Sequence, residues 1–404
     1  MSSYGLDGVM SWAQAHHIAS TCAEPLPAVK ARLDEAAGGI IAQPILTLSD
    51  YPSADVPAID GYAVRGEGPW RVTEDDSLNS SRAIPVRAGG RLPENTDAVL
   101  PFSMANTRQH NDESVSIIAL DGLTQMPDER VRPVHGSGIL HRAEVSPGGS
   151  VMVPAGRKVN ASILALAAAS GHDEIVIIKP PVVGLIVVGA SLLSQGISRD
   201  GRVRDALGNT IPSFVAAHGG RGNPAVRAPD TAELLMTEIE DAAVDVIITT
   251  GSTAPESDND VRRVLRDLNA HWLIDGVAAT PGSQMLLAQL PDGRFIVGLP
   301  GDPPSALAAL VTLVAPLLTM LSGAPVDRAH PTATLSADTP IAEYADDTRL
   351  APVKLQHVEG LLVAHPIPDS GPANLQGWAL ADGIAIVPPG AGSRGDVVSY
   401  LPQY

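Results

Sequence analysis

The sequence predicts a multidomain α/β-plus-β protein. Three observations carry this expectation. The chain has 404 residues, more than one ordinary hydrophobic core accommodates. Residues 179–324 alternate continuous apolar runs with amphipathic stretches, the pattern of a parallel sheet covered by helices on both faces. Residues 46–147 and 325–404 carry only short apolar runs broken by Gly, Pro, Asn and Asp, as β-rich domains do.

The elements follow in order. Residues 1–45 read as two helices, Gly8 to Ala19 and Val29 to Ala42, the second with Leu33, Ala36 and Ile40 at helical spacing. Tyr62 to Arg65, Ala98 to Leu100 and Val115 to Leu120 read as strands of a β-rich insertion. Ser150 to Arg157 reads as a return to helix. Asn160 is placed to cap a helix from Ala161 to Ser170, and Gly171 to close it. Val182 to Val188 is a strand buried on both faces, bounded by Pro and Gly. Asp230-Thr-Ala-Glu233 resembles a capping box, opening a helix through Ala243. Val244 to Thr250 is the next buried strand, and Asp260 to Leu268 an exposed helix with Arg262, Arg263 and Arg266. Phe295 to Val297 is a strand that leads through a loop to the apolar run Ala306–Leu321. That run is shorter than the ~20 residues that cross a bilayer and contains Pro316, so it reads as a buried helix. Thr332 to Leu335, Leu361 to Ala364 and Gly383 to Val387 read as strands of a small β-barrel-like domain.

Composition narrows the functional classes. The net charge of −18 disfavours nucleic acid, and any anionic ligand needs a locally favourable pocket. The single cysteine, Cys22, forms no internal disulfide and no zinc pattern, which suits a reducing cytoplasm. Met1 to Ser20 has neither a basic start nor an apolar core, so no signal peptide and no direct membrane insertion are expected.

Two phrases carry chemistry. Pro57-Ala-Ile-Asp-Gly-Tyr-Ala-Val-Arg65 presents one carboxylate, Asp60, on a glycine corner; read alone, it is an Asp-Gly tight turn. Gly298-Leu-Pro-Gly-Asp-Pro-Pro-Ser305 joins a strand to a helix whose first N–H groups could meet an anion. These phrases resemble the "S-A-M-D-G-Y-A-V" and "G-L-P-G-N-P-x-S" of the MoeA family, which includes the bacterial molybdopterin molybdenumtransferases and the E domain of gephyrin. The resemblance covers essentially the whole chain.

It implies an elongated linker domain from 1–45 and 148–178 and a β-rich domain inserted at 46–147. An α/β molybdopterin-binding-type domain with a parallel sheet follows at 179–324, and a β-barrel-like domain at 325–404. It also implies a homodimer, with molybdopterin and Mg²⁺ as cofactors if the site works and none if it does not. Family members insert molybdate into adenylylated molybdopterin. By that resemblance Asp60 is the catalytic carboxylate. Thr250, Gly251, Ser252, Pro281, Gly282, Gly298, Pro300 and Gly301 line the ligand, and Asp258 and Asp260 hold the metal. Asp200, Gly201 and Asp205 echo the family's "D-G-x-x-x-D-T-N" loop.

The departures are numerous. The family's "S-T-G-D-E-L" is Val187-Val-Gly-Ala-Ser-Leu192, so Ala190 and Ser191 replace both carboxylates. Its "K-P-G-K-P" is Thr280-Pro-Gly-Ser-Gln284, without either lysine. Its "R-x-x-G-E-D" ends at Val145, and its Asn before Pro is Asp302. Losing two charge-assisted contacts costs roughly 3–6 kcal/mol, or about 10²–10⁴ in affinity. Two functions are therefore expected as alternatives. One is a gephyrin-like homodimeric scaffold with a depleted site. It would bind a membrane receptor tail or a tubulin-like division protein such as FtsZ, and so reach a membrane through that partner. Met10 and Trp12 would then border the peptide groove, unless Trp12 is ordinary core. The other is an active molybdenumtransferase with Mg²⁺. A molybdopterin binder without turnover is the intermediate case.

Overall fold

The computed structural model describes residues 9–75, 77–129, 131–189, 192–228, 231–254, 260–325, 329–339, 346–368 and 375–403. The chain divides into two compact units. One comprises 1–42, 156–160 and 176–404; the other comprises 43–155 and 161–175.

The larger unit is built on an α/β sheet. Val182–Val188, Val246–Thr250 and Phe295–Leu299 run parallel, in that spatial order. Every residue of Val246–Thr250 is buried, which explains why its sequence is a continuous apolar run rather than an alternation. The sheet is mixed, not purely parallel: Leu286–Gln289 and His271–Asp275 add antiparallel strands beyond Phe295–Leu299. Helices pack on both faces. Val183, Leu185, Val246 and Ile248 join the core with the long helix, and Ile186, Ile247 and Ile296 join it with Ala232–Asp241 and Asp260–Asp267. The long helix runs from Pro303 to Ser322 with a π-helical turn at Leu310–Val314. By length and apolarity it could cross a membrane, but it is mostly buried and supplies the core with Leu310, Leu313, Leu317 and Leu321.

The last strands of this unit close on themselves. Thr348–Val358 pairs with both Leu361–Pro366 and Gly383–Val387, and Thr332–Leu335 and Val397–Pro402 complete a five-stranded ring. A barrel this narrow holds small side chains. Its core is Ala333, Ala351, Ala364, Ala385, Val353, Val387, Val398 and Leu335, in keeping with a chain of 3% aromatics.

The smaller unit carries a six-stranded sheet with Gly61–Arg65 between Arg82–Val86 and Ala98–Pro101. Alternation along Gly61–Arg65 sends Val64 to one core and Ala63 to another. Helix Ala161–Ala169 begins directly after Asn160, where the sequence placed it, and Gly171 takes a positive φ of 93° just beyond it.

Several expectations from sequence are corrected. Val29 to Ala42 is not a helix: Ala28–Arg32 and Ile40–Ile41 are strands flanking Glu174–Ile178. Gly39 lies so close to Ile177 that an added Cβ would sit 2.7 Å from its Cδ1. Ser150 to Arg157 is not a helix either, because Val151–Val153 pairs with Ile45–Leu46. The first helix starts at Trp12, after a capping box of Ser11 with Gln14; Met10–Ser11 is a short strand beside Val277–Thr280. The helix Ala232–Asp241 has Thr231 before it with no side-chain cap bond, and Asp230 lies outside the described residues.

Candidate functional site

Three loops of the larger unit meet at the carboxyl ends of its parallel strands, where open α/β sheets bind ligands. The first follows Val246–Thr250. Thr250 is buried, Gly251 has φ 80° and Ser252 has φ 55°. The Gly251 N–H donates to the Leu299 carbonyl at 2.9 Å, tying this loop to the second, Pro300-Gly301-Asp302. An added Cβ on Gly301 would lie 3.5 Å from the Gly251 Cα, so these loops meet through glycine backbone. The third loop holds Pro281 and Gly282. Gly282 has φ 108°, and a Cβ there would meet the Ala308 Cβ at 3.2 Å and the Ser305 carbonyl at 3.3 Å. It therefore lies on the first turn of the helix opened by Asp302.

Asp302 is the N-cap of that helix. Its Oδ1 accepts the Ser305 N–H at 3.0 Å, and Pro303 and Pro304 lack N–H groups. The helix start thus carries a negative charge beside the loops. Gly298 serves packing: a Cβ there would come within 2.7 Å of the Leu286 side chain. Its missing side chain makes room for Leu286 on the neighbouring strand.

Two charged groups escaped the sequence reading. Arg349 lies opposite Thr280 in the Val277–Thr280/Thr348–Val358 pair and is 9% exposed. The Thr280 hydroxyl donates to Asp347, also buried. A buried cation therefore stands beside the loop that lacks the family's lysines. The only local signal was Asp346-Asp347-Thr348-Arg349, charges leading straight into a buried strand. The second is Arg227, which binds Asp205. Burial raises the Asp205 carboxyl, but the N–H groups of Gly208 and Leu207 and the Arg227 guanidinium outweigh it and hold it below the usual range.

Of the expected metal pair, Asp258 lies outside the described residues, as do Ala190 and Ser191. Asp260 opens its helix. Among the described residues no group of three or more His, Cys, Asp and Glu could hold a metal ion. The helix is also less exposed than expected: Arg262 is tucked in, donating to the Thr253 carbonyl at 3.0 Å, pairing with Asp275 at 2.6 Å and lying over Trp272. Arg262 thereby fixes the far end of the Thr250–Thr253 loop.

Asp60 belongs to the smaller unit. Its Oδ1 accepts the Ala88 N–H and its Oδ2 the Arg87 Nη1, both at 2.8 Å. The Ala88 N–H first, then Arg87, hold its carboxyl below the usual range, so it is a poor base. The Asp-Gly pair is not a tight turn. Gly61 starts a strand, and a Cβ on it would lie 2.2 Å from the Leu100 carbonyl oxygen, which only glycine avoids.

Trp12 is core. It is 5% exposed, and its Nε1 donates to Thr312 on the π-helical turn at 2.9 Å. It stacks on His16, and His330 closes the group edge-on to His16. Its expected role at a peptide groove is corrected by this burial. Met10 lines a shallow surface hollow with Val9, Gln14, His17 and Ile18.

Comparison with known proteins agrees with this architecture. Residues 10–171 match the MoeA N-terminal region (domain I and II), 184–320 a probable molybdopterin binding domain, and 334–403 the MoeA C-terminal region (domain IV). The chain is 24% identical to a molybdopterin molybdenumtransferase of Bacillus subtilis over 385 residues, covering 90% of this chain and 86% of that one. A molybdopterin molybdenumtransferase of Staphylococcus epidermidis is 23% identical over 317 residues, 73% of this chain and 72% of its own length. Among solved structures, a molybdopterin biosynthesis MoeA protein from Pyrococcus horikosii superposes with TM-score 0.68 at 23% identity, covering 97% of this chain and 98% of that one. Another, from Pyrococcus horikoshii OT3, gives 0.61 at 20% identity over 98% and 100%. With its three regions matched in order over nearly the whole length, the chain belongs to the MoeA family of molybdenum cofactor biosynthesis proteins.

Proposed function

We propose that this protein binds adenylylated molybdopterin at the three-loop cleft of its α/β domain, weakly, and transfers molybdenum poorly or not at all. The observation that carries this reading is the convergence of Thr250-Gly251-Ser252, Pro281-Gly282 and Gly301 on one helix start. At these glycines the loops and the helix start approach one another through backbone. The buried Arg349 supplies a cation beside the third loop. Against tight binding stand Asp302 at the helix start and the absence of lysine from Thr280 to Gln284. Against turnover stands Asp60, whose two oxygens are both engaged.

Calorimetric titration of the purified protein with adenylylated molybdopterin tests this. Saturable binding at about 1–100 μM is expected, the range left after losing ~10²–10⁴ from a tight site. No saturation at millimolar ligand would refute the cleft reading. Sub-micromolar binding would refute its depletion.

The same depletion favours a second reading, a homodimeric scaffold for a protein partner, with the hollow at Val9, Met10 and Ile18 as a docking point. Light scattering after size exclusion checks the dimer; a monomer at micromolar concentration would remove this reading.

A further inference from the structure

Arg262 stands apart from the arginine beside it. Its side chain is 14% exposed, against 58% for Arg263. Three neighbours enclose it. Its Nε donates to the Thr253 carbonyl at 3.0 Å, its Nη1 meets the Asp275 carboxylate at 2.6 Å, and its guanidinium carbon lies 5.6 Å from the centre of the Trp272 ring. Arginine suits this place because its rigid planar fork faces two acceptors at once and stacks on an aromatic ring. A lysine ammonium is one point of charge on a flexible stem and does not fix the same partners in one geometry.

Two of these partners belong to the frame of the cleft. Thr253 closes the first loop and is 2% exposed. Asp275 ends the strand His271–Asp275 and opens the segment that carries the third loop. That segment is closed on itself. The Gly276 N–H donates to the Met285 carbonyl at 3.1 Å, the Val277 N–H to the Ser283 carbonyl at 2.9 Å, and the Met285 N–H to the Gly282 carbonyl at 3.1 Å. Pro281 and Gly282 therefore ride on a stem that begins at Asp275. Asp275, Leu286, Gly298 and Thr249 form one row across four strands, so about 14 Å of sheet separates the stems of the third and first loops. Arg262 reaches both stems from the helix packed on that face, where Val261, Val264 and Leu265 meet Leu286. The helix opened by Asp302 packs on the other face, with Leu299. Arg262 thus acts from behind the cleft.

We propose that Arg262 is a positioning residue, which sets the first and third loops relative to one another by bridging Thr253 and Asp275. Ligand affinity at the cleft then follows a side chain on the opposite face of the sheet, a consequence that rests on the cleft reading given above. Glycine loops have no side chains of their own to lock them, so their place comes from what grips their stems.

The test compares the full-length protein with Arg262→Met, which removes the bridge, and Arg262→Lys, which keeps the charge beside Asp275 but not the fork. A control, Arg263→Met, removes the same charge from the same helix, where Arg263 faces Glu233 and Asp267 at the surface. Hydrogen–deuterium exchange is followed over residues 249–254 and 276–286, and each protein is titrated calorimetrically with adenylylated molybdopterin. In Arg262→Met both segments are expected to exchange at least about tenfold faster, with Val182–Val188 as in wild type. Affinity is expected to fall at least about tenfold, the scale of one lost charge-assisted bond. Arg262→Lys should loosen residues 249–254 and show part of the loss in affinity; it decides the matter if Arg262→Met does not fold. The control should match wild type in both readouts. If wild type binds no ligand while both segments loosen in Arg262→Met, the cleft reading fails and the bridge stands. Wild-type exchange in either segment of a folded Arg262→Met protein, or loosened segments with wild-type affinity, overturns the proposal.

Discussion

Replacing Asp302 by asparagine separates what this residue does for the fold from what it does to a ligand. Its Oδ1 accepts the Ser305 N–H at 3.0 Å, and an asparagine carbonyl oxygen can accept the same bond. Asn and Asp are nearly equal as N-caps, and the lost dipole interaction is at most about 0.3–1 kcal/mol. Unfolding in urea should therefore shift by no more than ~1 kcal/mol. A phosphate docked about 6 Å from this carboxylate is opposed by 332/(εr), or roughly 0.7 kcal/mol at ε 80 and 2.8 kcal/mol at ε 20. Asp302 is half-buried, so the value lies between these limits. Asp302→Asn should then tighten adenylylated molybdopterin about tenfold at low salt, and less at high salt. Asp302→Ala should show the same tightening with an extra loss of ~1 kcal/mol in stability, from the missing cap. A folded Asp302→Asn protein with unchanged or weaker affinity would refute the reasoning, because it would place the anion away from this helix start.

Three further outcomes follow from packing and titration. His16 is stacked on Trp12, and burial first, then the neighbouring His330 and His17, lowers its pKa to about 4 from 6.5. The unfolded chain therefore binds this proton more readily, so its share of stability is intact above pH 6.5 and falls away toward pH 4. The share is about 2–3 kcal/mol, and His16→Gln should flatten the stability curve in that window; parallel curves would contradict it. Trp12→Phe strands the fully buried Thr312 hydroxyl and should cost ~1–3 kcal/mol, while Trp12→Phe/Thr312→Val should recover part of that loss in a double-mutant cycle. Gly61→Ala forces a Cβ to within 2.2 Å of the Leu100 carbonyl oxygen; thermal unfolding should show a loss of at least ~2 kcal/mol, and a neutral result would mean the strands can part freely.

What the sequence revealed depended on where each segment's partners lie. Val182–Val188 and the strand ending at Thr250 were legible because burial on both faces leaves a continuous apolar run. The helix at Asp260 was legible from its alternating faces, with Val261, Val264 and Leu265 inward. Residues 29–42 misled because Leu33, Ala36 and Ile40 fit a helical period, whereas the strands there are fixed by Glu174–Ile178, far along the chain. Val151–Val153 misled for the same reason, its partner being Ile45–Leu46. At the candidate site, loop glycines could be named from motif spacing. Arg349 and Arg227 could not, since each reaches its place through strand pairing that no local pattern encodes. Trp12 was named for a peptide groove or for ordinary core, and its burial and its bond to Thr312 belong to the core reading.

The central claim is a ligand cleft retained on a family fold whose transfer chemistry has been thinned. Complementation tests it most directly. The chain is expressed in a bacterium lacking its own molybdenumtransferase, at low molybdate, and nitrate reductase is assayed with the soluble, folded protein confirmed in the same extract. The account predicts little or no restored activity, while the purified protein still binds adenylylated molybdopterin. Activity restored to the level given by a molybdenumtransferase control would contradict it, and would show that the lysines and carboxylates absent from the motifs are dispensable here or replaced from elsewhere in the chain.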